Sequence, residues 1–174
     1  MRCTGRTVAV ALAVAALALG TLVATPRVAA AAPLTFTAIA NDYTTCTGHL
    51  LVDNLILWES GLPDETRGLG IVWCAGNSTV SATVRIHLRN PTGVTMEDRT
   101  CGGSVPLTSF WCATSRFDKH PVPHGLYEAR GTFTLTLLTP PNNLTRVWTS
   151  AGPGCAYTPG ASTQVTCNLE AYNW

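Results

Sequence analysis

The densest run of side chains able to do chemistry is Asp118-Lys119-His120-Pro121-Val122-Pro123-His124-Gly125. Asp118, His120 and His124 are its weak metal candidates, because a carboxylate and neutral imidazoles are ordinary ligands for zinc and similar ions. The two prolines, however, favour an extended helix of three residues per turn. His120 and His124 then face different sides, and the segment reads as a solvated connection with no metal. No G-x-x-x-x-G-K, H-E-x-x-H or G-x-S-x-G signature occurs. Ser104, in Gly102-Gly103-Ser104-Val105-Pro106, lacks the glycine that would follow a nucleophile on its sharp turn. The chain is therefore expected to be non-enzymatic, without a catalytic residue or a cofactor.

Binding chemistry has better candidates. Arg85, His87 and Arg89 alternate with apolar residues and would form a polar binding face for an acidic glycan or the cell wall, unless Glu97 or Glu128 pairs with them across strands. Five tryptophans are many for a chain of this size. Trp58, Trp148 and Trp174 are the candidate ligand platform, since the C–H-rich face of a pyranose stacks on an indole ring. Trp73 and Trp111 each precede a cysteine, and are expected to pack beside disulfides in the core. The run from Cys101 to Cys112, CGGSVPLTSFWC, could present residues 105–108 rigidly to a protease.

These residues must be positioned by an exported domain. Arg2 and Arg6, an uncharged Ala/Val/Leu run from Thr7 to Pro26, and the small residues Ala29 to Ala32 follow the order of a secretory signal peptide. Residues 1–31 are expected to be removed, which leaves 32–174 as a single domain with no membrane span. In that mature chain eight basic residues face ten acidic ones, so nothing favours a nucleic-acid partner. Six cysteines remain, an even set that reads as a disulfide framework. Spacing alone leaves fifteen pairings open. Local pairing favours Cys101–Cys112 and Cys155–Cys167, each folding back across a Gly or Pro turn, which leaves Cys46–Cys74.

The periodicity is that of strands. Val80, Ala82, Val84, Ile86 and Leu88 alternate with polar residues, and Tyr127, Ala129, Gly131, Phe133, Leu135 and Leu137 do the same. Further candidates are Leu34–Ala40, His49–Trp58 (which also fits a helical stripe), Leu69–Ala75, Val94–Cys101, Trp111–Phe117, Leu144–Ser150 and Gln164–Glu170. Threonine supplies 22 of the 143 mature residues, in keeping with a pleated surface. About eight or nine strands, separated by Gly, Pro and Asn turns and stapled by disulfides, predict an all-β antiparallel β-sandwich.

The stretch Gly131-Thr132-Phe133-Thr134-Leu135-Thr136-Leu137, with Pro140-Pro141, Val147-Trp148-Thr149, Gly154-Cys155 and Gln164-Val165-Thr166-Cys167-Asn168-Leu169, resembles part of the immunoglobulin-like repeat domain of bacterial surface proteins. It covers about 40 of the 174 residues. The resemblance implies an immunoglobulin-like sandwich with a structural or adhesive role and no catalytic residues. The leader and composition are similar to those of exported proteins of high-GC Gram-positive bacteria. The expectation is a secreted β-sandwich with a structural or cell-surface interaction role. A carbohydrate- or cell-wall-binding module is the first alternative and a secreted protease inhibitor the second. The partners to be expected are a glycan, a cell-wall polymer or an extracellular protein.

Overall fold

A computed structural model describes residues 34–55, 65–105, 109–118, 125–138 and 145–173. The leader 1–31, Trp58, residues 106–108, His120, His124 and Trp174 lie outside these. Eleven strands and no helix occur among the described residues. One antiparallel sheet, sheet A, contains β1 (Thr35–Ala40), β2 (Thr45–Leu55), β3 (Glu65–Ala75), β6 (Ser109–Ala113), β7 (Phe117–Asp118) and β9 (Trp148–Ala151). The other, sheet B, contains β4 (Val80–Arg89), β5 (Thr95–Val105), β8 (Tyr127–Leu137), β10 (Cys155–Ala156) and β11 (Gln164–Asn173). Sheet A runs in the order β6-β3-β2-β1-β9, with β7 also beside β3, and sheet B runs β10-β11-β8-β4-β5.

The sheets face one another because each offers one apolar side. Val80, Ala82, Val84, Ile86 and Leu88 of β4, and Tyr127, Ala129, Phe133, Leu135 and Leu137 of β8, are all buried, while their neighbours point to solvent. Sheet A answers with Phe36, Leu50, Val52 and Val72. Burying each large side chain of this kind stabilises by roughly 1.5–3 kcal/mol. Phe36 crosses between the layers and meets Phe133 edge-on, with ring centroids 5.4 Å apart. That ring lies over Gly48, its partner on β2, where an added Cβ would come within 2.0 Å of the ring.

The strand count exceeds the expected eight or nine, and several bounds differ. β2 starts at Thr45 and β3 at Glu65, not at His49 and Leu69. The inward positions of these early segments are taken by Cys46, Gly48, Thr66 and Gly68, which leave no clear apolar alternation to read. Residues 49–55 lie on β2, so that part of the helical stripe is strand, and Trp58 lies outside the described residues. β10 is a two-residue strand beside β11 that has no pattern of its own.

Three bridges join Cys46–Cys74, Cys101–Cys112 and Cys155–Cys167. Cys46 and Cys74 face one another on β2 and β3, and Cys155 and Cys167 on β10 and β11, so both bridges staple neighbouring strands within a sheet. Cys101–Cys112 differs from the fold-back expected for it. β5 and β6 lie in different sheets, and this bridge ties sheet B to sheet A. Such intramolecular bridges belong to an oxidising environment.

A polar clasp closes one end of the sandwich. Asp42, in the β1–β2 turn, accepts hydrogen bonds from the Ser78 hydroxyl and the Thr44 amide, and its carboxylate lies 3.2 Å from Nε of Arg146. The buried Thr44 hydroxyl accepts from the amides of Asn77 and Ser78, and Arg146 also donates to the Ser78 hydroxyl and the Asn77 carbonyl. The β3–β4 crossing can come this close only because residue 76 is glycine. Its φ is 134°, and a Cβ there would lie 2.4 Å from the Thr44 Cα. Burial pushes the Asp42 carboxyl up, but the Ser78 and Thr44 hydrogen bonds and the Arg146 charge together hold it below the usual aspartate range.

Two outcomes follow from this packing. Gly48→Ala forces the Phe36 ring off its seat and should lower stability in chemical denaturation by about 1–3 kcal/mol. A carboxyl held low in the folded state stabilises fully above its unfolded value, and that contribution is lost as pH falls through the folded value. Asp42→Asn should therefore lower the melting temperature at neutral pH. It should also flatten the decline that the wild type shows below about pH 4. A parallel decline in both proteins would remove the clasp from the account of acid stability.

Candidate functional site

Strand parity decides which tryptophans meet solvent. In a strand, successive side chains point to opposite faces. Cys74 and Cys112 are buried, so the residues beside them, Trp73 and Trp111, must point outward. They do, and are 43% and 64% exposed. The expectation that they pack in the core is thus corrected, and the signal that would have found them, alternation around an inward cysteine, was present in the chain. Trp148 reverses in the other sense. It was a platform candidate, yet it is fully buried, with its indole N–H donating to the Thr163 carbonyl at 3.1 Å. Trp58 and Trp174 lie outside the described residues.

The two exposed indoles share the outer face of sheet A. β6 pairs with β3 so that Trp111 stands opposite Ile71, and Ser109 opposite Trp73. Trp73 and Trp111 are therefore diagonal neighbours, with Cα atoms roughly 7–8 Å apart by the geometry of such pairs. Between them lies an open depression of about 480 Å3, lined by Arg67, Leu69, Ile71, Trp73, Ser109 and Trp111. Leu51 extends the apolar surface across β2, where it stands opposite Leu69. His49 sets its ring perpendicular to the Trp73 indole at a centroid distance of 5.0 Å and holds that side of the indole.

β3 carries much of its bulk outside. Its outward positions 69, 71 and 73 are Leu, Ile and Trp, whereas its inward positions 66, 68 and 70 are Thr, Gly and Gly, with Val72 and Cys74 completing the buried side. Core packing does not require large apolar side chains on the solvent side, and this partly exposed apolar row makes the face a candidate for interaction. The charges around it are paired. Arg67 bonds Asp53 of β2 at 2.8 Å, and Arg116 bonds Glu65 at 3.1 Å. What this face can do chemically is stack flat, weakly polar groups without demanding a charged one.

The other candidates are arranged differently. Arg85, His87 and Arg89 do lie together on the outer face of sheet B, each beside an acid. Arg85 holds the Asp98 carboxylate in a fork, His87 Nδ1 is 3.7 Å from Asp98, and Arg89 is 3.8 Å from Glu128. The Arg85 hydrogen bond is the main reason that the Asp98 carboxyl sits below its ordinary range. Arg130 continues the lattice to Glu128 and Glu170. Of the two acids expected to pair with the stripe, Glu128 does so. Glu97 points to the other face of β5, where it accepts a hydrogen bond from the Ser115 amide. Among the described residues no group of three His, Cys, Asp or Glu side chains could hold a metal. Residues 117–118 form β7 beside β3, while His120 and His124 lie outside. No helix of the described residues is long and apolar enough to cross a membrane.

The platform depends on the bridge between sheets. β6 is a five-residue edge strand, and Cys112, next to Trp111, anchors it to β5. Replacing both Cys101 and Cys112 by serine should lower stability by about 3 kcal/mol, the scale of a closed loop of this length. It should also increase the solvent quenching of tryptophan fluorescence as Trp111 is released. Unchanged quenching in a variant of lowered stability would mean that β3 alone holds the indole.

Comparison of the chain with protein-family models, with curated proteins and with solved structures finds no match.

Proposed function

We propose that the protein is a secreted, non-enzymatic β-sandwich that binds carbohydrate of the cell surface or cell wall on the outer face of sheet A. The observation that carries this reading is the diagonal pair Trp73 and Trp111, exposed on one face of a rigid sheet with an open trough between them. A pyranose presents polarised C–H bonds on one face, and an indole presents the negative face of its π-system, so the two stack without either being charged. Ser109 and the Arg67–Asp53 pair at the border supply the hydrogen-bonding groups that a sugar's hydroxyls need. Three disulfides suit an extracellular setting, in which binding must persist without cellular repair.

The test is retention on insoluble glycans and purified cell-wall polymer. The wild type should be retained, and Trp73→Ala and Trp111→Ala should each weaken binding about ten-fold, the scale of roughly 1–1.5 kcal/mol for a stacked aromatic. Both side chains stand outside the core, so near-ultraviolet circular dichroism of the remaining aromatic residues should show the fold kept. Absence of retention on every polymer would end this reading and leave the face to a protein partner.

A further inference from the structure

Resting on that glycan reading, we infer that the ligand is an extended, uncharged polysaccharide that runs obliquely across sheet A, with Tyr43 as a third aromatic subsite. Four of the described aromatic side chains are largely exposed: Tyr43, Trp73, Trp111 and Tyr172. Tyr172 lies on sheet B, where its hydroxyl bonds Glu170. Trp73 and Trp111 belong to sheet A, Tyr43 to the turn that joins its strands β1 and β2, and register puts the three in order. Trp111 stands on β6 opposite Ile71, and Trp73 stands on β3 one strand over and two residues further along. Thr45 on β2 pairs with Ala75, and Tyr43 precedes Thr45 by two residues in the β1–β2 turn. From Trp73 to the level of Thr45 is thus one strand over and about 7 Å along the strand direction, and the turn that carries Tyr43 lies beyond that level, on the side to which the Trp111–Trp73 diagonal leads.

The conformation of Tyr43 is the second observation. Its φ is 66°, and it is the one described residue other than glycine in the left-handed region. Glycine adopts that region freely, whereas an aromatic side chain there is costly. The turn nonetheless holds it. The Tyr43 amide donates to the Ala40 carbonyl, the Ala40 amide to the Thr44 carbonyl, and the Asn77 side-chain amide to the Asp42 carbonyl, with the Asp42–Ser78–Arg146 clasp behind. The ring is 84% exposed and gains nothing from the core. A bulky ring held at conformational cost in solvent is a presented group. A ligand spanning all three rings must be longer than a single sugar. The closed pairs Arg67–Asp53 and Arg116–Glu65 leave this face suited to a neutral chain.

The experiment measures the affinity of wild type, Tyr43→Phe, Tyr43→Gly and Trp73→Ala for neutral β-linked gluco-oligosaccharides of increasing length, beside an acidic polysaccharide. Wild-type affinity should rise with chain length beyond the span of the two indoles. Tyr43→Phe should keep that rise. Tyr43→Gly should lose it by about ten-fold on the longest chains only, while its melting temperature is unchanged or higher because the backbone cost is relieved. Trp73→Ala should weaken all lengths. Equal affinity of wild type and Tyr43→Gly for long chains overturns the third subsite yet leaves the tryptophan platform standing. Preference for the acidic polymer overturns the neutral ligand. Failure of every glycan overturns the platform itself.

Discussion

The bridge Cys101–Cys112 is the constraint on which the arrangement of the outer tryptophan face depends. Backbone hydrogen bonds order strands within each sheet, and apolar burial presses the sheets together, but neither fixes how a short edge strand sits over the opposite layer. β6 has five residues and β3 as its strand neighbour. The covalent link from Cys112 to β5 in the other sheet removes its freedom to slide or fray. Phe110, inward on the same strand, lies over Gly103 of β5, where an added Cβ would come within 2.9 Å of its ring. Trp111, between these two inward anchors, is thereby aimed outward.

The same logic of parity organises the whole molecule. The central strands of sheet B, β4 and β8, obey the simple rule, with apolar residues inside and a lattice of Arg–Asp and Arg–Glu pairs outside. Sheet A departs from it along β3, where glycines face the core and Leu69, Ile71 and Trp73 face solvent. The glycines let Ile86 and Phe133 of sheet B reach across the interior. The bulk of that stretch is thereby carried on the outer face.

Much of the architecture was legible in the residues. Ser78 to Asn90 and Leu126 to Thr139 alternate cleanly because β4 and β8 are central strands of a one-sided sheet. The early parts of β2 and β3 were not legible, since their inward positions carry glycine and threonine, and their extent is set by pairing across the sheet. The site was half legible. The abundance of tryptophan could be read, but choosing among the five by their nearness to cysteines was misleading about which are exposed. Adjacency in sequence means opposite faces in a strand, so Trp73 and Trp111 are exposed because their neighbours are buried. Trp148 was deceptive for a different reason. It opens a four-residue strand too short to show a period, and tertiary contacts from the segment around Thr163 enclose it. The order of the charged lattice on sheet B required the register, which made Asp98, and not Glu97, the partner of Arg85 and His87.

β5 also bears on how such a molecule survives at high local density. It is an eleven-residue strand at the margin of sheet B, and among the described residues no strand pairs with its outer row of backbone groups. Glu97 and Arg99 occupy inward positions of that margin, opposite Leu88 and Ile86. Any strand docking there would have to strip water from both charges. The margin of sheet B thus carries its own guard against cross-β stacking with neighbouring copies.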